Sequence, residues 1–321
     1  MSVCKLRSAA LALLALATAT FPASAETVLR IGYLRGTEPI NLVRIQGTLE
    51  KALEPIGVKV EWKGPFGAFA PVAEALNANA IDVTVGSSSA ALTAMAGDAP
   101  ISFFAMEWDG GDTMGLVVPK DSPIKTIKDL AGKSVAVNRG GTGEYLLTRA
   151  LEKAGVPAAE VKKAYLSPPD SAAAMSQNKV DAWAAWSTFY PVAQLQLGAR
   201  VLASAGEIES ENSVVYVVRS DFAKANPAAI GILLKKMQEA NAWSQAHRAE
   251  AAEIWVKELK VTPDVANLIA SYKFNPPVPV RDKEKVLLDH QSEWLVEQKI
   301  LKTKVDLSKH VITDFGAVKV N

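Results

Sequence analysis

The chain has 321 residues, enough for about two domains and a substantial core. Apolar residues make up 49% and charged residues 21%, an ordinary globular balance. The net charge of +1 excludes a global basic field of the kind that gathers nucleic acid or anionic lipid.

Lys5 and Arg7 open a short positive region, and Leu11 to Leu16 lie in an apolar run. Ala23-Ser24-Ala25 supplies the small residues of a cleavage site, so residues 1–25 are expected to be a secretory signal peptide cut after Ala25. The apolar run is too short to span a bilayer, and Phe21-Pro22 breaks it. Cys4 falls inside this signal, which leaves the expected mature chain without a disulfide, a thiolate nucleophile or a cysteine metal ligand. No later segment has the length of a transmembrane helix, and the expected product is a soluble periplasmic protein.

The mature chain alternates strand and helix. Val28 to Tyr33 reads as a strand, Leu42 to Leu53 as a helix ended by Pro55 and Gly57, and Val58 to Trp62 as a strand. Pro71 to Leu76 is helical, Ile81 to Gly86 is a strand, Ser87 opens a helix to Met95, and Ile101 to Ala105 is a strand. The rhythm then restarts. Met114 to Val118, Ser134 to Val137, Val161 to Leu166, Val180 to Trp186 and Arg200 to Leu202 read as strands. Helices are predicted at Thr126 to Leu130, Glu144 to Gly155, Asp170 to Gln177 (with Asp170 as cap) and Phe189 to Leu197. Val214 to Val218 is a return strand, and only helices are expected after it, from Ile230 onward. In the first of these, Ile230, Leu233, Leu234, Met237 and Trp243 share one face, with Asn226 as N-cap and Pro227 at the first helical position. The pattern predicts an α/β fold in two units. Residues 26–116 and 214–321 form a discontinuous lobe, and 117–213 form a lobe inserted into it.

Catalytic patterns are weak. His247, His290 and His310 lie in the late helical region, none with a carboxylate or second histidine at ligand spacing. Ser87-Ser88-Ser89 lacks the glycine-flanked nucleophile elbow. The glycine turn Asn138-Arg139-Gly140-Gly141-Thr142-Gly143 has Leu146 where a dinucleotide fingerprint needs glycine, and it has no P-loop lysine. It reads either as a mobile surface turn or as an anion cradle.

The cradle reading gains from its company. Tyr33-Leu34-Arg35-Gly36-Thr37, Gly64-Pro65-Phe66-Gly67 and Gly86-Ser87-Ser88-Ser89 each follow a strand, where open α/β sheets bind ligands. Helix-start N–H groups and hydroxyls are good donors to an anion. The first three turns belong to the outer lobe and Gly140 to Gly143 to the inserted one, so a shared ligand would sit between the lobes.

Four pieces of the sequence, Asn79 to Val83, Ser122 to Val137, Gly140 to Val156 and Val180 to Trp186, resemble the periplasmic aliphatic sulfonate-binding proteins, within a group that includes taurine- and nitrate-binding proteins of ABC importers. The resemblance covers nearly all of the mature chain. It implies a type II periplasmic binding fold: two α/β lobes joined by two hinge strands, closing on a ligand. It also implies an alkanesulfonate-like small organic anion as ligand, an ABC transporter permease as partner, and a monomer without cofactor, metal or nucleic acid. By the same resemblance, Gly86-Ser87-Ser88 and Gly140-Gly141-Thr142-Gly143 would donate to the sulfonate, and Asp181 to Trp186 would line the inserted lobe. Gly141 and Gly143 stand where relatives often have serine, Ser187-Thr188 replace a common acidic residue, and Glu107-Trp108-Asp109-Gly110-Gly111 is unusual, so the organic tail of the ligand is left open.

A sulfonate carries no proton near neutral pH and only accepts hydrogen bonds. Monohydrogen phosphate also donates, and no matching carboxylate stands out in the turns, Glu144 being read as a helix-dipole residue. Arg35 and Arg139 are candidate positive partners or solvent-facing loop residues. Tyr33, Phe66, Trp183 and Trp186 are candidates for the tail, although strand alternation puts Trp183 and Trp186 on opposite faces. Trp108 is either an aromatic wall of the site or a plug of the outer lobe. The expected function is capture of a small organosulfonate. Taurine, nitrate or a pyrimidine precursor on the same fold, or an enzyme reusing it, are the alternatives.

Overall fold

The computed structural model describes residues 26–108 and 111–320; the expected signal peptide and Cys4 lie outside the described residues, as do Asp109 and Gly110. The chain builds β1 (Thr27–Leu34), β2 (Val58–Phe66), β3 (Val83–Ser87) and β4 (Ile101–Glu107), then β5 (Met114–Val118), β6 (Ser134–Val137), β7 (Lys162–Tyr165), β8 (Ala182–Trp186) and β9 (Arg200–Ser204), then β10 (Val214–Arg219) and β11 (Val278–Pro279). The first four and last two strands form one sheet in the order β11-β4-β10-β3-β1-β2, and the middle five form another in the order β7-β6-β8-β5-β9. The chain therefore passes between sheets twice, after β4 and after β9. Met114–Val118 and Val214–Arg219 each lie wholly in one sheet, so the chain crosses between β4 and β5 and again between β9 and β10.

Both sheets are parallel where strand and helix alternate, in β1/β2, β1/β3, β6/β7 and β6/β8. They turn antiparallel where the chain returns, at β10 against β3 and β4 and at β5 against β8 and β9. Alternation along β10 explains how the first sheet is covered on both faces. Tyr216 and Val218 pack with Ile230, Leu233, Leu234 and Met237 of the helix Pro227–Ala246. Val215 and Val217 pack on the other face with Leu288 and Trp294 of the helix Asp282–Glu297. The second sheet is covered in the same way, with Val135 and Val137 in one cluster and Ala136 and Trp183 in another.

Several local expectations shift for identifiable reasons. The Leu42 to Leu53 helix is two helices, Pro39–Gln46 and Thr48–Leu53, divided at Gly47 in the left-handed region (φ 60°). Ser167, not Asp170, caps the helix Pro168–Ser176, because Pro168 already occupies its first turn. Asn226 holds the N-cap position but makes no side-chain cap bond; its Nδ2 donates to the Phe222 carbonyl at 3.1 Å. β11, unforeseen among the late helices, is a two-residue edge pairing with Met106 and Ala105. Asp82 is nearly fully buried and accepts from the Arg30 backbone N–H at 2.9 Å and from its guanidinium at 2.6 Å, tying β1 to the entry of β3.

Candidate ligand-binding site

The ends of strands from both sheets border one cavity of about 510 Å³. Leu34, Phe66, Ser87 and Glu107 come from the carboxyl ends of β1 to β4, and Trp186 from that of β8. Met114 and Val214 come from the starts of the two antiparallel strands. This is where sheet topology leaves a crevice. Phe69, Phe189 and Phe274 add apolar wall, and Thr142 adds a hydroxyl at a helix start.

Two helices begin at this cavity, Ser88–Ala96 from one lobe and Thr142–Ala154 from the other. Their dipoles place positive partial charge there from both sides. Several of their amides already have partners within the protein. Ser88 N–H donates to the Ser213 carbonyl at 2.8 Å, Ser89 N–H to Asn212 Oδ1 at 3.2 Å, and Ala90 N–H to Ser87 Oγ at 3.3 Å. In the glycine turn, Gly143 N–H donates to Asn138 Oδ1 at 2.7 Å, and Gly140 N–H to Glu144 Oε2 at 2.8 Å. The arrangement shifts direct donation to a ligand from backbone amides toward hydroxyls.

Asn212 joins the two helix starts. Its Oδ1 faces Ser89 N–H, which can only donate, so its Nδ2 must face Thr142, to whose Oγ1 it donates at 3.4 Å. A hydroxyl that accepts from an amide keeps its own proton for another acceptor, and Thr142 lines the cavity. Ser88 Oγ is fully buried, accepts from Ser213 N–H at 3.0 Å and donates to Asn212 Oδ1 at 3.3 Å.

The inner turn is held from behind by Glu144. Its carboxylate accepts from Gly140 N–H, from Tyr165 Oη at 2.7 Å and from Lys163 Nζ at 3.0 Å. Burial pushes this carboxyl upward, but the bonds from Gly140, Tyr165 and Lys163 outweigh it and hold it below the usual carboxylate range. Gly140 sits at φ 62°, where a side chain would be strained. The sequence reading of Glu144 as a helix-dipole residue omitted this bond back to the turn.

The other expected site residues fall into three groups. Arg35, Phe66, Gly67, Ser87, Glu107, Thr142 and Trp186 line the cavity. Gly140, Gly141, Gly143 and Ser88 stand one layer behind it, shaping the helix starts. Tyr33, Gly36, Trp108, Arg139 and Trp183 are off its wall. Tyr33 lies under the Arg44 guanidinium at 4.3 Å and, with Gly36, borders a separate pocket of about 220 Å³. The Arg139 guanidinium stacks 3.6 Å over Tyr165. Trp183 is fully buried in the core beneath Phe189, whereas Trp186, on the opposite face of β8, reaches the cavity. Trp108 is 49% exposed, neither wall nor plug. Sequence reading missed Asn212, Asn138, Glu38, Phe69, Phe189 and Phe274. Asn138, Glu38, Phe69 and Phe189 were within reach, since they lie in or beside segments already singled out. Asn212 and Phe274 are brought in by long-range topology.

The family model described as NMT1/THI5 like matches residues 55–251. A curated protein of Escherichia coli (strain K12), described as an aliphatic sulfonates-binding protein, is 31% identical, over 92% of this chain and 93% of that one. The crystal structure of the periplasmic aliphatic sulphonate binding protein SsuA from Escherichia coli superimposes with TM-score 0.80 at 29% identity, covering 91% of this chain and 93% of that chain. The alkanesulfonate-binding protein SsuA from Xanthomonas axonopodis pv. citri bound to MOPS gives TM-score 0.83 at 24% identity over 90% and 99%, a likeness of fold. The two lobes are thus those of a type II periplasmic binding fold, and the chain belongs to the NMT1/THI5-like family, among the aliphatic sulfonate-binding proteins.

Proposed function

We propose that this protein captures a small organosulfonate in the periplasm by closure of its lobes and delivers it to the permease of an ABC importer, after export and cleavage of residues 1–25. The observation that carries this reading is the pair of helix starts, one from each lobe, bordering a single cavity that also has aromatic lining. A sulfonate head suits the helix dipoles and the Ser87 and Thr142 hydroxyls, because it only accepts. An organic tail suits Phe66, Phe69, Trp186 and Phe189. Only the closed form makes both sets of contacts, so the ligand shifts the population toward it. Capture rather than catalysis is favoured by a cavity lining with neither histidine nor cysteine among the described residues.

The test is thermal unfolding of the mature protein with alkanesulfonates, nitrate and sulfate, in a buffer free of sulfonic acids. An alkanesulfonate at a hundred times its Kd stabilises by about 2.7 kcal/mol, a readily measured rise in Tm. The reading fails if nitrate or sulfate raises Tm and no sulfonate does. Recovery of unaltered ligand after denaturation checks that no chemistry occurs.

A further inference from the structure

The separate pocket of about 220 Å³ beside the main cavity is lined by the outer lobe alone. Its lining comes from the ends of β1 and β2, from the helix Pro39–Gln46, and from the last turn of the helix Arg248–Leu259 with Lys260 just beyond it. Arg35, Arg44, Lys257 and Lys260 set four cations there against the one carboxylate of Glu258, in a chain whose net charge is only +1. Lys260 stands at φ 56°, a left-handed position where glycine is the usual residue, so a cation is kept at this rim at some cost to the backbone.

Two polar atoms of this lining have no partner among the described residues. Asn41 is 2% exposed, and its Nδ2 donates to the Gly36 carbonyl at 3.2 Å and to Glu38 at 3.1 Å, while its Oδ1 is buried and accepts nothing. Arg44 donates through Nη2 to Glu258 at 2.6 Å and lies over the Tyr33 ring, while its Nε is buried and donates to nothing. Buried polar atoms without partners are uncommon and costly. An unused acceptor and an unused donor thus belong to residues that line one pocket.

An ion that only accepts, such as sulfate or a sulfonate, suits Arg44 and the lysines but leaves Asn41 Oδ1 unpaired. A cation suits Asn41 and is repelled by four like charges. An oxyanion that keeps a proton accepts on most of its oxygens and donates from one, and so meets both needs. We propose that this pocket is a second anion site, distinct from the cavity between the lobes, that takes hydrogen phosphate, as the free ion or as a monoester that keeps its proton. Its proton goes to Asn41 Oδ1, and its charge is met by Arg44, Lys257 and Lys260. The two sites differ in the presence of a side-chain acceptor, and the proposal does not depend on the sulfonate reading above.

Calorimetry at about pH 6, where a phosphate monoester still keeps its proton in part, titrates inorganic phosphate, glycerol phosphate and sulfate into the mature protein with and without a saturating alkanesulfonate. Phosphate is expected to bind about tenfold or more tightly than sulfate, the worth of one added hydrogen bond to a charged group, in both conditions. Lys257→Ala/Lys260→Ala, at two exposed positions outside the main cavity, should weaken phosphate about tenfold and leave sulfonate binding within about threefold. Asn41→Leu should erase the preference for phosphate over sulfate; if thermal unfolding shows that it does not fold, the lysine variant and the wild-type ratio decide. Glycerol phosphate binding as tightly as phosphate assigns the site to monoesters, and its failure to bind assigns it to the free ion. No phosphate binding, equal binding of sulfate, binding untouched by the lysine substitutions, or binding that disappears when the sulfonate is present overturns the proposal and leaves the sulfonate reading standing. Failure of the sulfonate to bind, with phosphate weakened in the lysine variant, removes the sulfonate reading alone.

Discussion

Thr142 shows how much a single hydroxyl can carry here. Its oxygen is already committed as the acceptor of Asn212 Nδ2, so its proton is aimed by the protein rather than by the ligand. Hydrogen bonds to charged groups contribute about 1.5–3 kcal/mol, so Thr142→Val should weaken sulfonate binding about tenfold to a hundredfold, measured by calorimetry. It should also cost about 1–2 kcal/mol of stability, because Asn212, nearly fully buried, loses a partner. Thr142→Ser keeps the hydroxyl and should restore most of the affinity; an unimpaired valine variant would remove Thr142 from the site. At this scale the sequence was informative only in part. Glycine and hydroxyl residues after a strand identify a helix start as an anion site through local chemistry. The partner that aims the hydroxyl lies 70 positions away, and no local pattern reveals it.

The glycine turn and its helix are the element on which the inserted lobe's half of the site depends. Three donors from different parts of that lobe converge on Glu144: Gly140 in the turn, Lys163 on β7 and Tyr165 at its end. The folded-state pKa of Glu144 is held below its unfolded value of about 4.3, so its contribution is fully present above that pH. The contribution is lost as pH falls through the depressed folded value. Glu144→Gln should therefore be destabilised by about 1–3 kcal/mol at neutral pH. The gap to wild type should close progressively in acid below about pH 4. Urea unfolding across pH checks both, and a gap independent of pH would contradict the ionic role. Elements with strong local signals were legible: the return strand Val214 to Val218, the stripe beginning at Ile230, and the helix that Ser87 opens, where Ser87 stands as the cap. β11 was not, because two residues carry no period and pair only through their neighbour.

At the scale of the whole molecule, the two lobes also meet through side chains outside the cavity. Gln196 of the inserted lobe donates to Thr262 of the outer one at 3.2 Å, while Asn275 Nδ2 donates to the Trp108 carbonyl within the outer lobe, just before the first crossing. Near the second, His290 Nδ1 lies 2.9 Å from Glu211, and Trp294 forms the heavier contact. Its indole N–H donates to Glu152 at 2.8 Å, and its ring meets the edge of Tyr145 with centroids 4.8 Å apart. Tyr145 and Glu152 belong to the inserted lobe's helix, whereas Trp294 packs in the core of the other lobe. Because this contact lies beside the crossing, lobe opening moves it little, and it should persist in open and closed forms alike. Trp294→Ala should then cost about 3–5 kcal/mol of stability by denaturant unfolding. Sulfonate affinity should change less than tenfold, about 1.4 kcal/mol, since a contact common to both forms does not bias their equilibrium. A much larger loss of affinity would mean that Trp294 and Tyr145 meet only on closure, making this pair the latch rather than the pivot.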